Sequence, residues 1–171
     1  MKYEIEKRLT QILGLPFQIA GRSSNMVWFG FGDYFILKDK LGEKSVTKYT
    51  INVQCSWRIC SNEKILIASK DIYIPSSEWY EENDEDNDFD WDIIGNNRCD
   101  ELFVKFNETN QSCGIVDSVL ADSYGGVKIF LNNELHIEIF PDESTENEHW
   151  RLFTPGNVES HFVVTGLGIE S

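Results

Sequence analysis

The densest chemistry in this sequence lies between Glu78 and Asp92, where nine carboxylates occur with no Lys or Arg among them. Asp84, Asp86, Asp88 and Asp90 alternate along that tract, a spacing that invites calcium. An EF-hand loop, however, requires Gly at its sixth position and Glu at its twelfth. Counted from Asp84 those places hold Phe89 and Gly95, so no calcium loop, metal site or cofactor is expected. Trp79, Tyr80, Phe89 and Trp91 are threaded among the acids. Aromatic anchors inside a charged rim are what protein-recognition surfaces use. Trp79, Tyr80, Glu81, Glu82, Asp84, Asp86, Asp88, Phe89, Asp90 and Trp91 are therefore the expected partner-binding residues. The competing reading is that the rings pin a solvated loop to the core.

A second, smaller set of polar residues offers an alternative pocket: Arg58, His149, Arg151 and His161. The histidines do not fall at HxxxH or HExxH spacing, so each is expected to be structural unless the fold converges them. His136, between Leu135 and Ile137, is expected to face away from both. Arg58 and Arg151 each follow a tryptophan, which in a strand sends ring and guanidinium to opposite faces. No GxSxG elbow, P-loop or GxGxxG fingerprint occurs, and a catalytic role is not expected. Cys55, Cys60, Cys99 and Cys113 form no CxxC pair and read as reduced, buried small hydrophobes.

The whole chain has 171 residues, the size of one domain, with 29 acidic against 15 basic residues and a formal charge of −14. That charge repels nucleic acid and anionic membranes and attracts a basic protein partner. No stretch has the apolar length of a membrane span, and the charged N-terminus lacks a signal-peptide core. A cytoplasmic protein, monomer or homodimer, is the expectation.

The elements that must position these residues are read from periodicity. Residues 2–13 predict an amphipathic helix with Tyr3, Ile5, Leu9, Ile12 and Leu13 on one face, stopped by Gly14 and Pro16. Tyr49, Ile51, Val53, Cys55, Trp57 and Ile59 alternate with polar residues, which predicts one long strand with a single buried face. Cys99, Leu102, Phe103 and Phe106 predict a second helix near 96–107. Residues 116–121, 127–131 and 135–140 predict a meander, with Asn132-Asn133 as a two-residue hairpin turn. Residues 161–164 form a last strand, while Trp150 and Phe153 are expected to close a short helical turn. The sum is a single α+β domain over 1–171, built on a mainly antiparallel, strongly twisted sheet. Residues 76–95 form an acidic, aromatic-containing loop or insertion.

Five segments in order resemble a family of small uncharacterised bacterial proteins. They are Gln54-Cys55-Ser56-Trp57-Arg58-Ile59, Ala121-Asp122-Ser123-Tyr124-Gly125-Gly126, Phe140-Pro141-Asp142-Glu143-Ser144, Trp150-Arg151-Leu152-Phe153 and His161-Phe162-Val163-Val164. Such proteins resemble the small acidic ones encoded beside polymorphic or contact-dependent toxins. The resemblance implies an immunity role, inhibition of a toxin by direct binding, and carries over no catalytic residues. The acidic tract is not part of the pattern and reads as a variable, partner-specific insertion. A small enzyme or ligand-binding domain using the His/Arg set, and a structural or assembly subunit exposing a sheet edge, are the two alternatives.

Overall fold

Residues with one apolar face need a second surface to bury it against, and here two sheets supply each other's. The computed structural model describes residues 1–40, 42–83, 88–109, 114–157, 159 and 161–170. Helix α1 (Lys2–Leu9) continues into a 3-10 turn (Thr10–Ile12). The strands β1 (Phe17–Ser23), β2 (Met26–Asp39), β3 (Gly42–Val53), β4 (Ser56–Cys60) and β5 (Ile65–Ala68) follow. A 3-10 turn (Ser69–Tyr73), α2 (Ser77–Glu82) and α3 (Arg98–Thr109) come next. The chain ends in β6 (Val116–Ala121), β7 (Val127–Leu131), β8 (His136–Phe140), β9 (Glu148–Phe153), β10 (Phe162–Thr165) and β11 (Gly168–Ile169). One antiparallel sheet has the order β1-β2-β3-β9-β10-β11 and the other β5-β4-β8-β7-β6. The α+β, antiparallel expectation holds, with two sheets where one was expected.

The reason lies at Gln54-Cys55. The alternation of buried residues runs unbroken through Ile51, Val53, Cys55, Trp57 and Ile59. The chain nevertheless leaves the first sheet at Val53 and enters the second at Ser56. Both linking amides donate to the carbonyl of His149, at 2.8 and 3.3 Å, which satisfies the backbone at the corner. A strand that switches sheets in this way keeps one face inward throughout, so periodicity alone cannot reveal the switch.

One core joins both sheets, α1 and α3. Phe29 of β2 meets Trp57 of β4 edge-on at 5.5 Å, and Trp57 stacks on Phe103 of α3 at 5.7 Å. Helix α3 buries Cys99, Phe103 and Phe106, the i, i+4, i+7 stripe. Its start is two residues later than expected because buried Asn97 caps it, accepting from the Asp100 amide at 2.9 Å. Helix α1 buries Ile5 and Leu9, and the 3-10 turn buries Ile12, but Tyr3 and Leu13 are exposed.

Two further expectations need correction. Trp150 and Phe153 do not close a helical turn: they lie in β9, which pairs with both β3 and β10. Trp150 and Leu152 point inward there. The β7–β8 hairpin is also longer than two residues. Leu131 donates to Leu135, and the left-handed residue is Glu134, with φ of 66°. Among the described residues, no helix is long and apolar enough to cross a membrane.

Candidate functional site

The acidic segment is closed at its base. Pro75 and Asn97 bridge, Ser76 donates to Asn96 at 2.7 Å, and Arg98 donates to Ile74 at 2.7 Å. Its first part is helical, which the loop expectation for 76–95 missed. Ser76 caps α2 by accepting from the Trp79 amide at 3.2 Å. Glu101 of α3 braces the same turn, accepting from the Ser77 amide at 3.0 Å and from its hydroxyl at 3.1 Å.

Lys105, with help from Ser77, holds the Glu101 carboxyl well down, at about 2. A depressed carboxylate stabilises the fold above its unfolded value of about 4.3, and this contribution is lost as pH falls through the folded value. We predict that the Ser77 amide resonance follows this titration in an NMR pH series with a midpoint of about 2. A midpoint of about 4.3 would mean that the brace is not made in solution.

The aromatics of the tract divide into covered rings and one exposed ring. Trp79 is buried and contacts the rings of Tyr80 and Phe89 at 5.6 and 5.5 Å. Trp91 packs against the core and meets Tyr73 edge-on at 5.4 Å. Phe89 is half-buried. Of the four rings, Tyr80 is the exposed one, at 57%. Tyr73, Ile74, Ile93 and Ile94 are exposed in the same region, and Glu81, Glu82, Asp88 and Asp90 are exposed beside them. Asp84 and Asp86 lie outside the described residues.

A residue that sequence reasoning passed over anchors this arrangement. The Arg22 side chain, 2% exposed, donates to both carboxylate oxygens of Asp100 at 2.6 and 2.7 Å. It also donates to the carbonyls of Trp91 at 3.2 Å and Ile93 at 3.3 Å. Asp100 completes its shell with the Asn97 amide group at 3.0 Å and the Gly95 amide at 2.9 Å. A planar fork suits this bidentate geometry, and it ties the far limb of the acidic segment to β1.

The alternative His/Arg set is dispersed. Arg58, in the second sheet, donates to Glu138 and lies over the Phe140 ring at 4.8 Å. Arg151, in the first sheet, forms a two-pronged pair with Glu148 and meets His161 Nδ1 at 3.0 Å. His149 is 1% exposed, and neither ring nitrogen has a hydrogen-bond partner among the described residues. It lines a pocket of about 290 Å³ with Gln54, Cys55, Asp142, Glu143, Asn147 and Glu148. The fold thus brings Arg151 and His161 together and places Arg58 on the other sheet.

Cys55, Cys60 and Cys99 are buried and free, and Cys113 lies outside the described residues. Burial, with Asp142 adding to it, pushes the Cys55 thiol up to about 12. Burial also raises Cys99 and Cys60, which disfavours a nucleophilic thiolate at any of the three.

The outer face of the second sheet carries a further cluster. Cys60 of β4 pairs across the strands with His136 of β8, and Glu138 follows two residues later on the same face. The ligand atoms of Cys60, His136 and Glu138 all lie within 4.8 Å of one another. Burial favours the charge-neutral form of Glu138, but hydrogen bonds from Lys128 and Arg58 outweigh it and lower the carboxyl. Desolvation, aided by Lys128, lowers His136. A search for Cys and His at short sequence spacing could not find this set, because its members are 76 residues apart in the chain from Cys60 to His136. The one local signal is the His136-x-Glu138 alternation in a strand.

Comparison with protein families, with curated proteins and with solved structures brought no match.

Proposed function

We propose that this chain is a non-catalytic protein-binding domain that docks a basic partner protein on its 73–94 region, acting as an immunity-type inhibitor of a toxin. One observation carries the reading: exposed Tyr73, Ile74, Tyr80, Ile93 and Ile94 share that region with exposed carboxylates, above buried supports. Apolar anchors supply affinity once water is excluded, and the carboxylate rim speeds and orients encounter with a basic surface. Buried Trp79 under Tyr80 and Phe89, Trp91 on the core and the Arg22–Asp100 pair tie down the described parts of this region, which reduces the ordering cost of binding.

The test is co-expression of the tagged chain with the product of the adjacent gene. A stoichiometric complex is expected, with an association rate that falls at least about tenfold when salt rises from low to physiological strength. Tyr80→Ala is expected to weaken the complex about tenfold or more. Gln at Glu78, Glu81 and Glu82 is expected to slow association with little change in unfolding temperature. A salt-independent rate, or a complex indifferent to all four changes, would count against this surface.

A second reading, self-assembly, is favoured by the β2–β3 ribbon. From Tyr34↔Thr47 to Asp39↔Gly42 the two strands pair with each other, and among the described residues no third strand joins them there. Tyr34, Phe35 and Ile36 are exposed on that arm. Open strand edges with apolar side chains template pairing. Sedimentation that finds a dimer dissociated by Ile36→Lys would support this reading, and a monomer at high concentration would exclude it.

A further inference from the structure

We propose that Cys60, His136 and Glu138 form a binding site for a thiophilic divalent metal ion of the zinc class, on the outer face of the second sheet and independent of the acidic segment. Three facts carry the assignment. The donors are one sulfur, one imidazole nitrogen and one carboxylate oxygen, the mixed set that zinc takes in tetrahedral sites with an open fourth position. Their ligand atoms stand within 4.8 Å of one another, near enough for small side-chain rotations to bring them to the roughly 3.5 Å spacing of a tetrahedral zinc shell. The arrangement is also fixed by backbone register. Cys60 and His136 are direct partners of β4 and β8, and Glu138 is next along the same face of β8. No loop has to close to assemble it.

The surroundings both support and oppose an ion. Arg58 holds Oε2 of Glu138, and Lys128 holds Oε1 at 2.8 Å, so the carboxylate is oriented by outer partners as metal ligands generally are. His136 Nε2 is 3.5 Å from that same Oε1. The two cations also repel a dication, and Lys128 competes with it for Oε1. The Lys128 side chain is 36% exposed and sits on a flexible stem, so it can turn to solvent as the ion arrives. Arg58 keeps the other oxygen. Cys60 binds as thiolate, its S–H bond breaking as the sulfur–metal bond forms, and the proton passes to water. The His136 and Glu138 side chains are only 14% and 10% exposed, so the ion enters from the side where Lys128 turns away.

Cobalt(II) is the probe, added to the full chain under reducing conditions in a large excess of magnesium. Excess magnesium competes for any carboxylate-only ligation and does not compete for sulfur. The expected result is one equivalent of cobalt bound, with the absorption of a thiolate-to-cobalt charge transfer and tetrahedral d–d bands. Zinc should displace it. Cys60→Ser should abolish the charge-transfer band, and His136→Ala should weaken binding by at least about tenfold. Lys128→Met, which removes a repelling charge from a partly exposed position, should tighten it about tenfold. Absence of the charge-transfer band in the native chain would overturn the proposal. So would its survival in a folded Cys60→Ser protein. If Cys60→Ser fails to fold, unchanged cobalt binding in His136→Ala overturns the proposal instead.

Discussion

Replacing Arg22 with alanine is expected to cost about 3–5 kcal/mol of stability, because it leaves a carboxylate buried without its cation. Arg22 and Asp100 are almost fully covered, with side-chain exposures of 2% and 9%. The guanidinium also serves the carbonyls of Trp91 and Ile93, so its loss leaves acceptors unpaired as well as a charge. Arg22→Lys keeps the charge but loses the planar fork, and is expected to recover only part of the loss. Urea unfolding of the three proteins measures the differences. Hydrogen exchange at residues 91–95 should rise in both variants, because these backbone groups are held to β1 through Arg22. A loss below about 1 kcal/mol in the alanine variant would show that the pair is not desolvated in solution. The consequence for function is direct: if the 73–94 surface binds a partner, Arg22→Ala should weaken the complex without touching an exposed residue.

Trp150→Ala is expected to be comparably severe, about 3–5 kcal/mol. Trp150 is fully buried in β9, with Phe162 of β10 at 6.0 Å, and its indole N–H donates to the Gly125 carbonyl at 2.8 Å. Gly125 accepts there from a left-handed conformation, φ of 94°, and a side chain at that position would press within 2.8 Å of Val164. Trp150→Phe refills most of the volume but leaves that carbonyl without its donor, and should cost about 1–3 kcal/mol more than a volume-neutral change. Thermal unfolding followed by near-ultraviolet circular dichroism separates the two variants.

These two residues mark the boundary between what is legible in the chain and what is not. Trp150 reads locally as an aromatic three residues before another, which is compatible with a helical turn. Its strand identity comes from pairing with β3 and β10, and β3 lies about a hundred positions away in the chain. Trp79 illustrates the same limit in the candidate site. Among carboxylates it reads as a partner-facing ring, and only the folded chain shows it buried against Phe89 while Tyr80 faces out.

By itself the sequence determined the periodic elements and the charge. The Ile5, Leu9 and Ile12 stripe, the 99–106 stripe, the inward alternation from Ile51 to Ile59 and the 116–140 meander are each written in residues close together. Side-chain direction repeats every 3.6 or 2 positions whatever the rest of the chain does. The concentration of acid between Glu78 and Asp92 is likewise a property of composition. The tertiary structure alone decided that the strand through Gln54-Cys55 turns a corner into a second sheet. It alone decided that Arg22 meets Asp100 across 78 positions, and that Cys60, His136 and Glu138 share one face. Each of those depends on register between distant strands or on packing of a helix against them. Such contacts are selected by the burial of the whole core, and no local period encodes them.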